Sequence, residues 1–77
     1  MTQEELEEQG SKLSDLAHKK GLSALDDIEI KTLSLYEDWK DGADWEIVQD
    51  MSNSRTTWEA QQYLLNNYGY KEVKHNG

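Results

Sequence analysis

Seventy-seven residues with sixteen acidic and eight basic side chains carry a formal charge of −8 at a pI near 4.5, and 35% of the residues are apolar. A chain of this size is one small domain, 1–77, and buries only about 60% of the surface its unfolded form exposes, so a large catalytic cleft is not expected. The absence of cysteine removes disulfides, thiolate metal ligands and cysteine nucleophiles together, and fits a reducing compartment.

The chain opens with Thr2-Gln3-Glu4-Glu5, a capping box with acids in the first helical turn. Leu6, Leu13, Leu16 and Ala17 form a narrow stripe behind it, and Gly10 weakens the middle of that helix by about 1 kcal/mol relative to alanine. Residues 1–21 are therefore expected to be a peripheral helix, ending at Lys19-Lys20-Gly21 with a basic last turn and a C-cap glycine. Ser23, with Asp26 three residues on, reads as the next cap. The spacing of Leu22, Leu25, Ile28, Thr32, Leu35 and Trp39 then predicts a second helix running to about Lys40. Residues 28–32 also alternate as a strand would, and both readings stay open on the sequence.

Asp41-Gly42 breaks the second helix, Asp44 is placed to cap the next, and Trp45, Ile47, Val48 and Met51 give it an apolar side. Ser52-Asn53-Ser54 is turn chemistry. Thr56 with Glu59 is a further capping box, followed by Trp58, Leu64, Leu65 and Tyr68 and then Gly69. All seven aromatic residues fall between 36 and 70, which places the expected packed core in residues 22–73. The expected fold is all-α, a compact three- to four-helix domain. The alternative is an α+β fold in which Lys71-Glu72-Val73 pairs with residues 28–32.

The chain offers little for catalysis. His18 sits in a run with two lysines and His75 is two residues from the end, both outside the aromatic segment, so no nucleophile, base and orienting group assemble. The acids from Asp38 onward fail the EF-hand pattern, with Lys40 at the third loop position and Gly42 at the fifth. No glycine-rich loop precedes a lysine for phosphate binding. The expectation is a non-enzyme with no cofactor and no metal. The first twenty residues are neither an apolar signal core nor a basic transit peptide, and no apolar window reaches the ~18 residues of a membrane span, so a soluble cytoplasmic protein is expected.

Two constellations point to macromolecular binding. Residues 1–50 hold fourteen acids against five bases, and residues 51–77 two against three. Within the first part, Glu37, Asp38, Asp41, Asp44, Glu46 and Asp50 surround Trp39 and Trp45 with Lys40 as the single base. Carboxylates three and four residues apart on a helix lie about 5–6 Å apart, comparable with phosphates along a nucleic-acid strand. Such a face suits a basic groove on a partner protein, with Trp45 as its exposed apolar anchor. In size and charge the chain is similar to small acidic inhibitors such as phage-borne anti-CRISPR and anti-restriction proteins, and that similarity implies an inhibitor that mimics nucleic acid.

The second constellation, residues 44–63, resembles the helix-turn-helix of bacterial and phage regulators. Ile47 and Met51 stand where that motif packs its first helix, Trp58 where the second packs back, and Ser54 and Thr57 match its usual hydroxyls. Val48, Ser52, Asn53 and Gln61 depart from it, standing where a small alanine, a glycine and two apolar residues are usual. The resemblance implies Arg55, Thr56, Thr57, Gln61 and Gln62 as contacts to the major groove. Net charge opposes this reading, since DNA affinity depends on neutralised phosphates. The leading expectation is an acidic interaction protein contacting its partner through Glu37, Asp38, Asp41, Asp44, Trp45, Glu46 and Asp50. The partner is a basic, nucleic-acid-binding protein, and a DNA-reading regulator is the alternative.

Overall fold

The computed structural model describes residues 2–51 and 54–72. Four helices follow in order: α1 Gln3–Lys20, α2 Asp27–Lys40, α3 Trp45–Met51 and α4 Thr57–Asn67, with a 3₁₀ turn Leu22–Ala24 between the first two. The fold is all-α. Residues 28–32 are helical, and the described residues contain no strand. Lys71 and Glu72 are irregular, and the Lys71 carbonyl instead accepts the Leu22 N–H at 2.8 Å. The side chain of Met51, the Ser52-Asn53 turn, and Val73, Lys74 and His75 lie outside the described residues.

Three of the helices begin the same way. Thr2 with Glu5, Asp26 with Glu29, and Thr56 with Glu59 each form a complete capping box, with every hydrogen bond between 2.8 and 3.1 Å. Each box satisfies two backbone N–H groups that the first turn leaves without helical partners. The cap of α2 differs from the sequence expectation. Residues 22–24 tighten into the 3₁₀ turn and Leu25 is extended, so the helix starts after Asp26 and not after Ser23.

That later start breaks the expected stripe. Leu22 and Leu25 are not in register with α2, and Ile28 is 76% exposed. The buried side of α2 is Ile30, Leu33 and Tyr36, with Ser34 and Asp38 beside them. Ser34 and Thr32 return their hydroxyls to the helix's own carbonyls at 2.7 and 2.9 Å, which removes the cost of burying them. At its C-terminal end α2 closes with Gly42 at φ +107°. The Gly42 and Ala43 N–H groups reach back to the carbonyls of Trp39 and Asp38, the pattern of a Schellman cap.

The first helix is not peripheral. Leu6 and Ala17 of α1 are buried in the same core as Leu33 and Tyr36 of α2, Val48 of α3, and Ala60 and Leu64 of α4. Its Gly10 is buried under the Tyr36 ring, and a Cβ at Gly10 would overlap that ring. The glycine that weakens the helix locally is what lets α1 lie close against α2. With Gly10 beside Tyr36, and Leu13 and Leu16 beside Thr32 and Ile28, the two helices form an antiparallel hairpin. The helices α3 and α4 both pack on α2, and the C-terminal segment is tied across the hairpin by Tyr70.

Candidate functional site

The predicted acidic run divides into two environments. Asp38 is 7% exposed and lies inside the molecule, where its Oδ2 accepts from Arg55 Nη1 at 2.7 Å and its Oδ1 from the Tyr63 hydroxyl. The Arg55 guanidinium also lies over the Tyr63 ring, 3.9 Å from its centre, and the Tyr63 and Tyr68 hydroxyls are 3.1 Å apart. Burial first, and then the hydrogen bond to Asp38, push the Tyr63 hydroxyl well above the usual tyrosine value. This network joins α2, α4 and the turn before α4. Asp38 is therefore a structural anion and no part of a docking face.

Glu37 is half-buried and accepts from the Tyr70 hydroxyl at 2.8 Å. The same hydroxyl lies 2.7 Å from Ser14 Oγ, and the Tyr70 ring stacks on His18 with centres 4.4 Å apart. Burial and the Glu37 contact raise the Tyr70 hydroxyl, and the Ser14 contact opposes them. Glu37 is thus spoken for within the fold. Asp41, Asp44, Glu46 and Asp50 are exposed. These four remain as the outward part of the run.

The anchor also changes identity. Trp45 is half-buried against the core, and the exposed large apolar residues among those described are Ile28, Ile47 (51%) and Trp58 (68%). Val48 carries the buried side of α3 in a helix of only seven residues, which turns Ile47 outward. Spacing of three puts Ile47 on one line with Asp44 and Asp50, so an apolar side chain stands among the exposed carboxylates. The helical offset of Ile47 from Val48 was the signal available for this in the sequence.

A second group of acids joins them. Thr2, Gln3 and Glu4 at the start of α1 line one shallow groove with Trp45 and Gln49 of α3. From the sequence, Glu4 and Glu5 are expected only as first-turn acids of a peripheral helix. The hairpin instead returns Glu4 to the end of the molecule occupied by α3, beside Trp45 and Gln49.

The residues assigned to DNA contact are placed differently from the helix-turn-helix reading. Arg55 is held by Asp38 and Tyr63, and Thr56 caps α4. Thr57, Gln61 and Gln62 are half-buried. Ile47 and Trp58, which that motif buries between its two helices, both face outward, and α3 and α4 each pack on α2 in preference to each other. The packing that would orient a recognition helix is missing from the described residues. Among those residues, no three His, Asp or Glu side chains gather into a group that could hold a metal ion, and no helix is long and apolar enough to cross a membrane. No protein-family model matches the chain, and no curated protein or solved structure matches it.

Proposed function

We propose that this protein is a non-enzymatic docking protein that binds a basic surface of a partner protein through the acidic end formed by α3 and the start of α1. The observation that carries the reading is the groove in which Glu4, at the start of α1, meets Trp45 and Gln49 of α3, so that exposed acids of both segments lie at one end of the molecule. Asp41, Asp44, Glu46 and Asp50 supply charge and Ile47 the apolar contact. In its sharpest form the reading is an inhibitor that occupies a nucleic-acid groove. Nothing in the arrangement favours DNA reading by this chain.

The test uses the intact chain as bait in a host lysate at low salt and at about 0.15 M, beside a variant carrying Asp41→Asn, Asp44→Asn, Glu46→Gln and Asp50→Asn. Asp38 is left untouched because its removal would disturb the fold. The expected result is a retained basic protein whose association is slowed at least tenfold by the variant, since complementary charge acts mainly on encounter. Ile47→Ala should instead speed dissociation with little salt dependence. Labelled nucleic acid should compete for the same partner. Retention of the same partner, equally fast, by the neutralised variant at low salt would reject the reading.

A further inference from the structure

Between α1 and α2, on the side of the hairpin away from Tyr70, runs an open groove of about 380 Å³, with Leu13 and Leu16 on one wall and Ile28 and Thr32 on the other. Ile28, at 76%, is the most exposed of the large hydrophobic residues described. Leu13 and Leu16 are partly buried against the core and present their remaining surface to the groove, where Ile28 is exposed. We propose that the groove is closed by a second copy of the same chain, giving a two-fold dimer whose centre is an antiparallel four-helix bundle.

Shape and charge both point to a copy of this chain as the occupant. Each protomer carries a projecting side chain, Ile28, and a recessed apolar seat between Leu13 and Leu16, the self-complementarity a two-fold interface requires. A two-fold axis along the groove lays α1 of one copy antiparallel over α2 of the other. The groove's two charged residues, Lys12 on α1 and Glu29 on α2, then face their opposites across the axis. Lys12 is already 3.6 Å from Glu8, but both side chains are largely exposed and that pairing is readily exchanged. Locally the lining is balanced in charge, although the chain as a whole is at −8. A basic partner suited to the acidic end finds no complement on this side, whereas a second copy finds one.

The area sets the strength. The shared face is as long as the shorter helix, the fourteen residues of α2 at about 21 Å, and two helices side by side are about 20 Å wide. Pairing two such faces buries roughly 800 Å² in total, below the size of stable specific interfaces and in the range of weak, transient ones. The dimer is therefore weak and depends on protein concentration. Two chains of like net charge repel over distances that salt screens, so added salt tightens the dimer. Docking to a basic partner has the opposite salt dependence, so the two ideas fail separately.

Sedimentation equilibrium of the full chain tests the proposal. The mass should rise from 8.9 kDa toward twice that value as concentration passes the Kd, and the rise should move to lower concentration with added salt. Ile28→Glu should retain wild-type helical circular dichroism and stay monomeric, and Lys12→Glu should weaken the dimer about tenfold. Three outcomes overturn the proposal: a wild-type mass of 8.9 kDa up to roughly 1 mM, an Ile28→Glu variant that dimerises as the wild type does, or a groove that takes a foreign amphipathic helix while the wild type stays monomeric.

Discussion

Asp38 and Arg55 carry the most consequential single interaction in the molecule. A carboxylate at 7% exposure costs several kcal/mol to bury unless its oxygens are occupied, and here Arg55 and Tyr63 occupy one each. Removing one partner leaves the other charge inside without compensation. Asp38→Ala and Arg55→Ala should each lower stability by about 3 kcal/mol, and Tyr63→Phe by about 1 kcal/mol. Urea denaturation should show these losses as a lower midpoint at unchanged slope. The double variant Asp38→Leu/Arg55→Met should recover most of the loss, because an apolar pair of similar volume strands no charge. Neither residue's role was legible locally. Arg55 follows a turn and precedes a helix cap, which is also how a phosphate contact looks, and its true partner lies seventeen positions earlier.

At the scale of elements, caps were the readable part of the sequence and helix faces the less readable part. Thr2, Thr56 and the glycines after α1 and α4 were visible because a cap is a short-range chemical pattern. The face of α2 was misplaced because Leu22 and Leu25 keep helical spacing with Ile28 while belonging to a separate 3₁₀ turn. Gly10 is the clearest conflict between levels. Helix propensity alone predicts that Gly10→Ala stabilises α1 by about 1 kcal/mol. The added Cβ, however, overlaps Tyr36 at its own Cβ, Cγ and Cδ1, atoms that cannot swing away as the end of a flexible chain would. Overpacking of this kind costs about 1–3 kcal/mol, so the substitution should destabilise the protein or leave it no more stable. Thermal denaturation decides the matter, and a clear rise in Tm would mean that α1 does not rest on Tyr36. The single sequence signal for this contact was a glycine interrupting an otherwise good helix pattern.

At the scale of the whole molecule, two tyrosines hold the C-terminal part to the hairpin. Tyr63 ties α4 to Asp38 on α2, and Tyr70 reaches Ser14 and His18 on α1 and Glu37 on α2 at once. Burial penalises ionising both hydroxyls, and their hydrogen bonds to carboxylates add to it, so both titrate above the tyrosine value of about 10. A folded-state value raised above the unfolded one means that the stabilisation is complete below about pH 10. It declines as pH rises beyond that point, because the unfolded chain then releases these protons more readily. Alkaline titration followed by tyrosinate absorbance and circular dichroism together should therefore show a delayed class of tyrosine that contains Tyr63 and Tyr70. Ionisation of Tyr63 and Tyr70 should coincide with loss of helix. Tyr70→Phe should remove one tyrosine from the delayed class, and it should release the C-terminal segment from Glu37 and Ser14. If all four tyrosines ionised near pH 10 with the helical signal intact, neither hydroxyl would be holding the segment in place, and the packing of α4 and Tyr70 on the hairpin would rest on Ala60, Leu64 and the Tyr70 ring alone.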